Sequence, residues 1–302
     1  QAGLAVLCTH LAQAGLDDGE NAAWFLAQAG EAVAAQPFGA SLYGGFTGVA
    51  WALEHWRKQA GAAASNQTVD ETLRTYLSRS PWRDDYDLIS GLVGLGVYAL
   101  ERLPHPAGAE LLELVVARLA ETAEHTPEGI TWLTAPELLP PWQRELCPQG
   151  YYNLGLAHGV PGVIALLGHV CAANVARTQA KPLLTGAVAW LLAQQSPAHE
   201  THSSFASWSV PGAKRSDCRL AWCYGDVGIA AALLSTARWV AEPAWEAAAL
   251  RIAQRAALRS TAQSGVRDGC LCHGAAGLAH LFNRFYQATG EPLFAQQARH
   301  WL

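Results

Sequence analysis

Cys223, in AWCYGDVG, and the neighbours Cys272 and His273, in LCHGAAG, are the residues of this chain best suited to chemistry. Each motif has a cysteine two residues before the first glycine of a G-x-x-G, and the second motif adds a histidine beside its cysteine. Thiolates and imidazoles are the ligands that zinc takes, and a catalytic zinc typically has three protein ligands with a fourth position left open. Taken singly, each cysteine reads better as a buried structural thiol. Their matched positions and the adjoining histidine favour metal ligation instead. Cys270 is the nearest competing ligand and reads as a solvent-facing or core thiol.

Further candidates stand ahead of other glycines. His158, in YYNLGLAHGVPG, holds the position that His273 holds in its own motif. It is either a satisfied core histidine or a proton-transfer group, because imidazole titrates near neutrality. Asp87, in DYDLISG, could orient a histidine, exchange a proton or cap a turn. Arg219, ahead of Cys223, suits a substrate carbonyl or carboxylate, or a nearby acid. Trp222 and Tyr224 flank Cys223 and line the site or serve as plain wall.

The elements that must position these residues follow from the glycines. G-x-x-G recurs at Gly45/Gly48, Gly91/Gly94, Gly159/Gly162, Gly225/Gly228 and Gly274/Gly277, each followed by an apolar helical stretch. We read an internal repeat, with irregular spacing long enough for a helix out and a helix back. Equivalent repeats would set Gly44, Ser90, His158, Tyr224 and His273 at one level, with Tyr43, Ile89, Ala157, Cys223 and Cys272 one residue earlier. Reactive side chains gathered at one level imply a shared cavity.

Amphipathic stretches alternate with the glycine-headed ones. They include Asn21–Gln36 with Asn21 as its cap, Asn66–Leu77, Pro106–Glu124, Arg177–Gln195 with Pro182 marking its proper start, Ala244–Leu258 and Pro292–Leu302. A first helix spans Leu4–Leu16, with a break at Asp17, Asp18 and Gly19. The Pro-rich stretch Thr126–Gln149 is too irregular for a repeat helix and is expected to cap one mouth. No convincing strand pattern appears. The architecture expected is all-α, a single α/α toroid over residues 1–302, with inner helices around the axis, outer helices wrapping them and the glycine turns at one mouth. An open superhelix is the alternative. The chain carries no Met and stops at ARHWL within a helical pattern, which implies a missing final repeat.

Composition narrows the function classes. Half of the chain, 51%, is hydrophobic and 15% is charged, so a large core can be buried. The net charge of -5 comes with no run of Lys or Arg, which argues against nucleic acid as a partner. No apolar run is long enough for a transmembrane segment, and the N-terminal stretch has no signal-peptide pattern, so a cytoplasmic protein is expected. Seven cysteines without a framework of spacings suit reduced thiols and metal ligation better than structural disulfides.

WCYG at 222–225, CHG at 272–274, NLGLAHGVPG at 153–162 and YDLISGLVG at 86–94, in combination, resemble the lanthionine synthetase C-like family, the cyclases of class I lanthipeptide biosynthesis. The resemblance implies an α/α toroid around a zinc held by Cys223, Cys272 and His273, with His158, Asp87, Arg219, Trp222 and Tyr224 lining the active site. It also implies intramolecular addition of peptide Cys thiols to dehydroalanine or dehydrobutyrine, which forms the thioether rings of lanthionine and methyllanthionine. The partners implied are a dehydrated precursor peptide, a lanthipeptide dehydratase and an exporter, with membrane association only through such a complex. Two other functions stay open: addition of glutathione or another free thiol to dehydrated peptides, and a non-catalytic, zinc-stabilised scaffold that binds peptide.

Overall fold

The structure is a computed structural model that describes residues 1–17, 19–61, 66–212 and 216–302; Asp18 of the expected break lies outside them. The backbone groups into two compact units, residues 1–83 with 88–121 and residues 84–87 with 122–302. The first contains α1 (Ala2–Gln13), α2 (Glu20–Ala35), α3 (Phe46–Ala60), α4 (Gln67–Leu77), α5 (Leu92–Arg102) and most of α6 (Pro106–Thr122). Ala5, Leu26 and Ala52 join α1, α2 and α3 in one apolar cluster. On α4 only Asp70, Leu73 and Leu77 are buried, the single stripe of an amphipathic helix, whereas α5 buries most of its residues. Charges are buried here too. Arg102 pairs with Asp70 at 2.8 Å and with Glu54 at 3.0 Å, and the Tyr98 hydroxyl donates to Asp70 at 2.6 Å.

The second unit carries the short strands β1 (Glu124–Thr126), β2 (Gly129–Thr131), β3 (Tyr152–Asn153) and β4 (Trp208–Ser209). Its helices are α7 (Pro141–Leu146), α8 (Val160–Ala172), α9 (Arg177–Ala193), α10 (Asp226–Val240), α11 (Pro243–Ala257), α12 (Thr261–Ser264), α13 (Ala275–Thr289) and α14 (Pro292–His300). β1 pairs antiparallel with β2, and β3 with β4, so that Asn153 lies opposite Trp208. The irregular stretch after Thr126 therefore resolves into a hairpin, a 3-10 turn at Pro136–Leu138 and α7.

Packing in this unit centres on α10, which is buried on nearly every side because α8, α11 and α13 all contact it. By contrast α11 buries one alanine-rich face, Ala248, Ala249, Ile252, Ala253, Ala256 and Ala257. Gly168 lets α8 and α10 cross closely: a Cβ there would lie 2.8 Å from the Thr236 side chain. Phe282, Phe285 and Phe294 hold α13 to α14, with ring centroids 5.3 to 6.4 Å apart. Among the described residues no helix is long and apolar enough to cross a membrane.

Two helix starts differ from the sequence expectation. Helix α9 begins at Arg177 and contains Pro182. The proline lacks only the N–H that would reach the Thr178 carbonyl, a loss that the packed helix tolerates. The start is set by Ala176, in the left-handed region at φ 44°. Helix α2 begins at Glu20 after Gly19, at φ 85°, so Asn21 lies inside the helix and does not cap it.

The glycine repeat has one structural meaning. In all five copies the first glycine is the residue immediately before a helix, α3, α5, α8, α10 or α13, and the second is the third residue of that helix. A Cβ on Gly48, Gly94, Gly228 or Gly277 would lie 2.0 to 2.4 Å from the carbonyl oxygen six residues earlier. The chain folds back across the start of these four helices, and only glycine leaves room for it. The residues just before the first glycine are thereby held at a helix N-terminus.

Candidate metal and proton-transfer site

Cys223 lies in the turn before α10, and Cys272 and His273 lie in the turn before α13. The main chain laces the two turns together: the Trp222 and Cys223 amides donate to the Cys272 carbonyl at 3.0 and 3.4 Å. Gly225, at φ 99°, allows the tight return, since a Cβ there would meet the Arg219 carbonyl at 2.0 Å. As a result one ligand atom from each of Cys223, Cys272 and His273 falls within 4.8 Å of the others, and the three side chains are half-buried. The group could hold one metal ion. Burial, then the adjoining Cys272 thiol, pushes the Cys223 thiol up to about 12, while the charge of Arg219 pulls it down. A Cys223 thiolate here needs a compensating cation, which fits a divalent metal of borderline softness.

A third turn, between β3 and α8, joins them. The Ala157 amide donates to the Cys223 carbonyl at 3.2 Å, and a Cβ on Gly155 would lie 2.7 Å from that carbonyl and 2.8 Å from the Tyr224 ring. His158, next in this turn, pairs through Nδ1 with Asp87 Oδ2. The carboxylate is buried at 8% side-chain exposure, while the imidazole is 42% exposed, so the pair presents its histidine outward. The Tyr224 ring lies 6.1 Å from the His158 ring and links the pair to the Cys223 turn. Burial raises the Tyr224 phenol to about 12 against a hydrogen bond from Asn153 Nδ2 at 2.9 Å. Burial, then the neighbouring Asp87, lifts Asp85 to about 6.

The structure thus brings together Cys223, Cys272 and His273, and separately His158 with Asp87, with Tyr224 between the two groups. Trp222 is half-buried and contributes its amide; Arg219 is exposed, its charge felt by Cys223 and Asp268. Cys270 is exposed and not a core thiol, and its sulfur accepts the His273 amide at 3.4 Å. With Asp268, whose Oδ2 lies 3.4 Å from His273 Nε2, it forms a second possible ligand group that shares His273.

Asn153, Gly155, Asp85 and Asp268 escaped the reading of the sequence. Asn153 and Gly155 stand inside the quoted NLGLAHG motif, and Asp85 inside RDDYD, so their positions were visible. The contacts of Asn153 and Gly155 reach the distant Cys223 turn, whereas Asp268 meets Cys270 and His273 within its own turn.

A sequence model described as lanthionine synthetase C-like protein matches residues 1–301, and the chain belongs to that family. Among solved structures it is similar to nisin cyclase, with a TM-score of 0.80 over 100% of this chain and 78% of that chain, at 19% identity. The match carries the all-α toroid class expected from the sequence. No curated protein matches the chain.

Proposed function

We propose that this chain is a zinc-dependent lanthipeptide cyclase, in which a peptide Cys thiol adds to a dehydroalanine or dehydrobutyrine of the same dehydrated precursor. The observation that carries the reading is the convergence of Cys223, Cys272 and His273 within 4.8 Å, in a chain of this family. The structural likeness to nisin cyclase supports the same reading. A zinc ion held by these three residues would keep a coordination position open and lower the pKa of a thiol that takes it.

The remaining chemistry belongs to the chain's own side chains. Addition forms an S–Cβ bond and moves the π electrons to Cα and its carbonyl, so the thiol gives up one proton and Cα receives one. His158 is the group that delivers the proton to Cα, because its imidazole is half-exposed and held by a buried carboxylate. Asp87 orients that imidazole and helps to receive the thiol proton. Arg219, Trp222 and Tyr224 line the surroundings of the reacting sulfur. The partners that follow are the dehydrated precursor, a lanthipeptide dehydratase and an exporter, in a cytoplasmic setting.

Cyclisation leaves peptide mass unchanged, so alkylation of residual thiols before mass spectrometry reads it. Purified Cys223→Ala is expected to carry little zinc and to leave the peptide thiols free. Full metal content together with full ring closure in that variant would refute the reading.

A further inference from the structure

Asn153 is 1% exposed and fixed from two sides. Its backbone lies in β3 opposite Trp208, and its Oδ1 accepts the Gly155 amide at 2.8 Å. An amide N–H can only donate, so the side-chain oxygen must face Gly155 and the NH₂ group must face the other way. There it meets the Tyr224 hydroxyl at 2.9 Å. The Tyr224 oxygen is therefore an acceptor in this contact, and its own proton points elsewhere. Among the described residues the structure shows no other hydrogen bond of that hydroxyl. The ring sits against the Gly155 backbone, where any larger residue would displace it, and beside His158.

We propose that Asn153 is a positioning residue that turns the Tyr224 O–H outward, to donate to the carbonyl oxygen of the dehydroamino acid as negative charge develops there during thiol addition. The inference rests on the cyclase reading and adds to it a donor for the oxygen, separate from the proton delivered to Cα. Preorganised donors of this kind act where charge grows in the transition state. Asn153 spends one amide proton on the phenol lone pair, which leaves the phenol proton as the only donor at that atom.

Asn153→Asp tests the direction of the bond. The carboxylate keeps an oxygen for the Gly155 amide but can only accept from Tyr224, which would turn the phenol proton inward. In thiol-alkylation assays this variant is expected to lose about 10²-fold in kcat, as Tyr224→Phe does, with KM and zinc content unchanged. The double variant should be no slower than Tyr224→Phe alone. The neighbouring Tyr151 hydroxyl donates to Gln143 Oε1 at 3.2 Å and not to the Asn153–Tyr224 pair, so Tyr151→Phe serves as a control and should keep wild-type kcat. Wild-type kcat in Asn153→Asp or in Tyr224→Phe, or multiplied losses in the double variant, would overturn the proposal. Should the wild type close no ring, the cyclase reading fails on its own. The hydrogen bond is then judged by NMR, and an Asn153 side-chain amide resonance that does not move in Tyr224→Phe sinks it.

Discussion

The buried charges around Arg102 and the thiols and imidazole around Cys223 are both polar groups set among apolar helices, but they are satisfied to different degrees. In the first unit Arg102 has Asp70 and Glu54, Asp70 also takes the Tyr98 hydroxyl, and Asn66 reaches the Ala50 carbonyl at 3.1 Å. Arg102 and Asp70 are 5% and 2% exposed, and water has little access to them. In the second unit Cys223, Cys272 and His273 are half-buried and His158 is open to solvent on one side. The Arg102–Asp70 pair is closed by its own partners and holds helices together, although Arg57 beside Glu54 keeps Nε and Nη1 without a hydrogen bond. The group at Cys223, framed by glycine turns, is open enough to bind something.

The turns themselves make the contrast sharper. Gly44 and Ser90 precede the first glycine in the first unit, whereas His158, Tyr224 and His273 do so in the second. One backbone device serves both, and the residue type it presents decides whether chemistry follows.

The sharpest separation should come from His158→Ala, expected to lower kcat by roughly 10²–10⁴-fold with little change in stability. Asp87→Asn should follow in the same direction. A full cyclisation rate in both, with peptide binding intact, would remove the pair from the mechanism. Asp70→Ala should do the reverse. It leaves the buried Arg102 with Glu54 alone and the Tyr98 hydroxyl without its acceptor, and should cost about 3–5 kcal/mol in denaturant unfolding, while activity per folded molecule stays near wild type. An unfolding midpoint equal to wild type would mean that the network contributes nothing.

A smaller effect concerns pH. Asp85 is raised to about 6 from an ordinary value of 3.8, so between those limits the folded state binds more protons than the unfolded chain. Its contribution to stability is present below about pH 4 and is lost as the pH rises toward 6. Asp85→Asn should flatten that part of the stability profile. An unchanged slope would show that Asp85 titrates normally.

Much of this was legible in the residues. The glycine spacing revealed five helix starts, and the types of residue ahead of them pointed to Cys223, Cys272, His273 and His158. Asp87 was visible as a carboxylate, but its pairing with His158 joins residues far apart in the chain. Asn153 and Gly155 were harder still, because they act through a hydrogen-bond direction and a missing Cβ, neither of which leaves a periodicity. Pro182 misled for a related reason: one absent N–H outweighs nothing once the surrounding helix is packed. Asp226 shows the same limit. It is buried, receives the Ser204 and Phe205 amides at 2.7 and 3.1 Å, and ties that loop to α10 from a position that reads as an ordinary first-turn acid.

The Cys272 carbonyl, which takes the amides of both Trp222 and Cys223, has a wider consequence. Main-chain hydrogen bonds do not depend on side-chain identity, so the distance between the two turns should survive when a ligand is exchanged. Cysteine for histidine at position 273 would then change what sits at the corner without moving the corner. A frame of that sort would keep the two turns in register whatever side chain position 273 carries.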